Sequence, residues 1–151
     1  MSFAAMFVVT TVLTSFIEVY YEYVPVYMKR EDLEKSVKFI EGERKLEKTG
    51  KIYVKGSYIF INHPYRGVYI VDNSDPSQPT IRGFITAPGS LDIAIKGNIM
   101  YLDNSVDLVA FDLTTHAVTE RLRNVLPQPL SPRGDYGNNE DGFILVEWKK
   151  R

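Results

Sequence analysis

From residue 51 onward, short apolar runs alternate with glycine- and aspartate-bearing turns. Tyr58 to Ile61 and Ile99 to Leu102 are runs of strand length rich in β-branched and aromatic residues. Lys55-Gly56-Ser57 and Lys96-Gly97-Asn98 precede them, and glycine there supplies the positive φ of a tight hairpin. Val68 to Val71 and Leu108 to Phe111 predict the next strands, each closed by an aspartate, Asp72 or Asp112. Such an aspartate can accept from its own backbone two residues on and turn the chain. The stretch Asn73 to Pro79 has turn composition, and Ile81 to Ile85 and Val118 to Leu122 predict the outer strand of each unit.

The two units are one pattern used twice. Lys55-Gly56 stands 41 positions before Lys96-Gly97, and Asp72 stands 40 before Asp112, so the second unit has lost one loop residue. A period of about 40–45 residues with three or four strands per unit is the content of a propeller blade. A third unit is partial. Asn124 to Gly142 is a loop rich in Pro, Gly, Asp and Asn, and Phe143 to Trp148 predicts a last strand.

The first fifty residues follow other patterns. Arg30 to Lys38 predicts one short helix, with Leu33, Val37 and Ile40 on one face, i,i+4 pairs Glu31–Lys35 and Glu34–Lys38, and Gly42 as a stop. Tyr20, Tyr21, Tyr23 and Tyr27 form an extended tyrosine-rich segment before it, an interfacial belt or a strip laid across a sheet. Met1 to Ile17 holds no charged side chain. Its apolar run suits an export leader or a membrane anchor, although no Lys or Arg precedes Lys29; a buried strand is the alternative. The expected organisation is therefore a leader-like or anchor segment at 1–17, a connector at 18–50 and a β-repeat domain at 51–148. The fold class is mainly β, with antiparallel propeller-like repeats (two blades and part of a third) and one short helix.

Composition adds exclusions. The 151 residues contain no cysteine, which removes disulfides, thiolate metal sites and cysteine nucleophiles. Net charge is −1, so no overall field draws the chain to nucleic acid. Residues 29–56 carry nine Lys/Arg against six Asp/Glu, a mixed and solvated connector.

Candidate chemistry is sparse. His63 and His116 fall at non-equivalent places in the repeats, and no triad or two-histidine metal spacing can be built on them. Asp103 and Asp107 bracket a three-residue loop and could hold calcium or cap turns. The stretch Asp135 to Gly142 misses a calcium loop at two ligand positions, Gly137 and Trp148, and reads as a flexible acidic loop. Arg133-Gly134-Asp135 spells an adhesion tripeptide that arises easily by chance. Tyr65, Arg66 and Tyr69 form an exposed-looking aromatic–cation group, the expected contact surface. No catalytic residue, cofactor or metal ligand is assigned.

The sequence resembles the LVIVD-repeat family. The signature appears as Val68-Tyr69-Ile70-Val71-Asp72 and as Leu108-Val109-Ala110-Phe111-Asp112. The resemblance extends through Pro25 to Met28, Gly50 to Tyr53, Asp72 to Pro76, Val106 to Val109 and Val146 to Trp148, and is closest to Bacteroidetes-type envelope lipoproteins. It implies β-propeller-like repeats, export to the cell envelope, a lipid anchor and no established catalysis. Leu13-Thr14-Ser15 looks like the start of a lipobox, but Phe16 stands where the acylated cysteine belongs. The expected function is a non-enzymatic envelope module binding a protein partner or a glycan, with no nucleic acid. Membrane association through residues 1–17 and oligomerisation through open sheet edges are part of that expectation. Two other readings stand beside it: a hydrolase-type enzyme or calcium-dependent site at the repeat loops, using His63, Asp103 or Asp107, and a truncated family member without independent function.

Overall fold

The computed structural model describes residues 22–138 and 141–151. The leader-like segment 1–17, Tyr20 and Tyr21 lie outside the described residues. The order of elements is β1 (Tyr23–Lys29), α1 (Arg30–Glu34), β2 (Lys38–Glu41), β3 (Ile52–Lys55), β4 (Tyr58–His63), β5 (Gly67–Asp72), β6 (Thr80–Thr86), β7 (Ile93–Lys96), β8 (Ile99–Asn104), β9 (Asp107–Asp112), β10 (Ala117–Leu122) and β11 (Phe143–Lys150).

These strands form three antiparallel sheets. The first blade has the order β2-β6-β5-β4-β3, the second β10-β9-β8-β7, and β1 pairs with β11 in a separate two-stranded ribbon. The predicted repeat is present at every level. Gly56 and Gly97 take φ of +57° and +58° at their hairpins. Asp72 Oδ1 accepts from Ser74 N at 2.9 Å, and Asp112 Oδ1 accepts from Thr114 N at 2.6 Å. A register shift falls at Ile70/Val71 in the first blade, and its counterpart in the second blade skips Thr119 opposite Ala110 and Phe111. Bulges increase local twist, so both sheets bend at the same repeat position.

The connector departs from expectation. The helix predicted over Arg30 to Lys38 stops at Glu34, with Lys35 as its cap, and Lys38–Glu41 is instead a strand paired with β6. The i,i+4 charge pairs are worth only tenths of a kcal/mol. A fifth strand satisfies backbone groups along β6 and packs Phe39 against the core. Gly83 makes the fit, because a Cβ there would stand 2.5 Å from the Phe39 ring and 2.6 Å from the Ile40 carbonyl. Leu33 of the short helix is fully buried.

The core lies between the two blades. Phe60, Val68, Ile70 and Ile85 from the first meet Ile93, Met100, Leu102, Val109 and Phe111 from the second. Burial of these side chains is the main driving force for the stack, at about 1.5–3 kcal/mol for each large one. Side-chain contacts tie the blades at one edge: Lys51 and Tyr53 on Asp92, and Lys55 on the Gly97 carbonyl.

The stack has a definite sense. Side chains alternate across a strand, so each blade has two faces. Tyr53, Phe60, Val68, Ile70 and Ile85 of the first blade face the second; their repeat counterparts Ala94, Tyr101, Leu108, Ala110 and Leu122 lie on the outer face of the second. Conversely, Ile52, Val54, Ile59, Ile61 and Tyr69 on the outer face of the first blade correspond to Ile93, Ile95, Met100, Leu102 and Val109 in the core. The blades are stacked head to tail, as in a propeller.

Candidate binding cleft

The loop joining β4 to β5 is held on both sides by the segment after β6. Tyr65 N donates to Ser90 O at 2.7 Å, Gly89 N to Tyr65 O at 3.1 Å, and Ala87 N to Arg66 O at 2.8 Å. Tyr65 takes φ of +65°, unusual for a bulky residue and sustained by these bonds. The loop thereby presents Arg66 to β11, where its guanidinium lies 3.0 Å from a Glu147 carboxylate oxygen. Burial, the Glu147 carboxylate and Tyr23 together push the Tyr65 hydroxyl above its ordinary pKa.

Beside this loop the outer face of the first blade carries a cluster of rings. Tyr69 and Phe84 meet edge-to-face at 4.8 Å, and His63 lies 6.0 Å from Tyr69. Arg44 sits over the Phe84 ring at 5.3 Å, a cation–π distance. The segment after β2 crosses this half of the blade as a strap. The Tyr69 hydroxyl donates to Lys45 O and accepts from Glu47 N, both at 3.4 Å. His63 Nε2 is 3.9 Å from Glu47.

Between the strap, the β4–β5 loop and the β1–β11 ribbon lies a cleft of about 550 Å³. All three residues of the predicted contact surface line it. Tyr69 is buried rather than exposed, because the strap lies over it. Arg44, Lys45, Arg66 and Lys149 bring positive charge to the cleft, and Glu47 and Glu147 oppose them. Lys45, Lys149 and Glu147 had no sequence signal, since the strap and the last strand reach the loop only in the fold.

The other candidates have separate partners. Asp107 is fully buried and accepts from Arg30 Nη1 at 2.8 and 2.7 Å, from Arg121 Nη1 at 2.8 Å and from Asn124 N at 3.0 Å. Burial alone would raise this carboxyl, but Arg30, the Asn124 amide and Arg121 outweigh it and hold it below the ordinary value. Asp103 accepts from Leu91 N at 2.9 Å, Asp92 N at 3.0 Å and Ser90 Oγ at 3.1 Å, yet burial dominates and raises its pKa. One aspartate fixes the start of β7; the other joins the N-terminal helix to the second blade. Among the described residues no group of three or more His, Asp or Glu side chains could hold a metal ion. His116 caps its turn at φ +56° and stacks on Phe39 at 3.9 Å. In the predicted acidic loop, the Asp135 carboxylate accepts from Ser131 Oγ at 2.8 Å.

No curated protein and no solved structure matches the chain. Residues 48–86, the strands β3 to β6 with their turns, match the family model of the LVIVD repeat. A second unit of the same strand order and register follows it, so the chain carries one stretch matching the LVIVD repeat and a structural counterpart of it in β7 to β10.

Proposed function

We propose that this β-repeat module is a non-enzymatic binding protein of the cell envelope whose cleft takes an acidic segment of a partner protein. The observation that carries this reading is the convergence of Tyr65, Arg66 and Tyr69 on one cleft with four basic side chains against two acidic ones. The loop that presents Tyr65 and Arg66 is bonded in place, so a ligand meets a pre-organised surface and little ordering entropy is lost. A protein segment is favoured over a glycan because Tyr69 and Phe84 are covered and offer no open ring face for a sugar to stack on. Asp103 and Asp107 are absorbed by structural contacts, which favours binding over hydrolysis.

The envelope placement rests on the uncharged run Met1 to Ile17 and on the family resemblance. Among the described residues no helix is long and apolar enough to cross a membrane. Fractionation of the native host, with N-terminal sequencing of the recovered protein, tests it. Recovery only in the cytosolic fraction would end the envelope part of the proposal.

The binding part is tested with a photo-crosslinking residue in place of Lys149. The expected result is one adduct with an envelope protein, lost in Arg66→Glu. An adduct indifferent to that charge reversal, or none at all, contradicts the cleft as the contact surface.

A further inference from the structure

Among the described residues the two blades leave two faces open, and each is the counterpart of a face already buried in the core. On the first blade, Ile52 and Val54 are 62% and 71% exposed, beside half-buried Ile59 and Ile61. Their repeat counterparts Ile93, Ile95, Met100 and Leu102 are the residues of the second blade that pack on the first. On the second blade, Tyr101 and Leu122 are 38% and 49% exposed. Their counterparts Phe60 and Ile85 are buried in the same interface. The strap covers the β5–β6 half of the first face and leaves the β3–β4 half open. An exposed apolar β3–β4 face of this kind marks a surface that another surface buries.

We propose that the open face of the second blade docks on the open β3–β4 face of the first blade in a second copy of this chain, repeating the intramolecular blade contact. The polar edge of the contact fits the same occupant. Lys51 of the first blade pairs with Asp92 before the second. Asp92 and Lys51 are themselves repeat counterparts, so the new contact again sets a lysine against an aspartate, with the sides exchanged. Each keeps at least half of its side chain exposed for it. Lys55 reaches the Gly97 carbonyl within the chain; its counterpart Lys96 would reach the Gly56 carbonyl of the next copy.

Such a contact is heterologous, one face against a different face, and it generates a ring if the rotation closes. Propellers close with about 4–8 blades, so two to four copies of a two-blade chain make a ring. The docking surface lies on β3–β4, apart from the cleft over β5–β6, and the inference stands without the ligand proposed for that cleft.

The test uses the full chain in sedimentation velocity and native mass spectrometry over a dilution series. Wild type is expected as a closed species of two, three or four copies. Val54→Arg and Tyr101→Arg each block one face and weaken assembly about 30-fold or more, the scale of losing a central anchor. Each variant keeps the opposite face intact, so the two mixed together form a one-to-one dimer that grows no further. That dimer also shows that both variants fold. A monomeric wild type, single variants that assemble like wild type, or a mixture that stays monomeric would each overturn the proposal.

Discussion

Arg30, at the start of the short helix, closes on the carboxylate of Asp107, 77 residues further along the chain, at 2.7 and 2.8 Å. Arg121 approaches the same carboxylate from β10, and Arg30 also donates to Asn124 Oδ1 at 2.6 Å. The buried aspartate thus fastens the N-terminal helix to the C-terminal end of β10, the second blade's outer strand.

Removing that anion leaves two arginines facing each other. Asp107→Asn is expected to cost about 3 kcal/mol, because breaking a buried pair strands the remaining charge. Urea unfolding followed by tryptophan fluorescence measures it. Unchanged stability would mean that solvent already screens the cluster.

The same group sets an acid limb. The Asp107 carboxyl is held below its ordinary value, so its contribution is complete above about pH 3.9 and is lost as pH falls through the folded-state value. The stability difference between wild type and Asp107→Asn should therefore shrink from pH 7 toward pH 2. Asp103 has the opposite sign, since burial raises its pKa. Asp103→Asn should gain on wild type as pH rises from 3 to 7, measured by the same titrations.

Two glycines separate backbone conformation from space. Gly56 sits at φ +57° with nothing within 4 Å of an added Cβ. Gly56→Ala should cost about 1 kcal/mol, the left-handed penalty alone. Gly67 sits at φ +140°, and a Cβ there would stand 1.9 Å from the Ile85 carbonyl oxygen. Gly67→Ala should break the β5–β6 pairing and cost more than about 4 kcal/mol. Thermal unfolding by circular dichroism ranks the two.

Phe60 and Tyr101 occupy one repeat position on opposite sides of the stack. Phe60→Ala should cost about 3–5 kcal/mol through the cavity it leaves. Tyr101→Ala, on an open face, should cost below about 1 kcal/mol in the monomer. Equal costs measured by chemical denaturation would contradict the head-to-tail stack.

The strands of both blades, their hairpin glycines and their closing aspartates were legible because each is a local signal. Tyr58 to Ile61 need only their own side chains to favour a strand, and Asp72 needs only the backbone two residues on. The strand Lys38–Glu41 is not legible, because charge spacing is read along the chain, whereas the strand depends on Gly83, more than forty residues away. The contact group Tyr65, Arg66 and Tyr69 was legible as a cluster, but Tyr69's burial was not, since the strap that covers it has no apolar pattern of its own. Asp107 read as a loop acid; its arginines come from positions 30 and 121.

The β1–β11 ribbon has a mechanical consequence. Tyr23 pairs with Lys150, and Arg151 N donates to Glu22 O at 2.8 Å, so chain leaving either end of the ribbon departs from one corner of the molecule. A tether on one side and a load on the other would pull across that corner and peel the ribbon open pair by pair from Tyr23–Lys150. Unzipping of this kind yields at lower force than shearing a ladder along its length. The blades behind it take up load only through a few contacts, such as Arg66 on Glu147 and Ser105 on the Leu145 carbonyl, so the Tyr23–Lys150 end parts first and acts as the molecule's fuse.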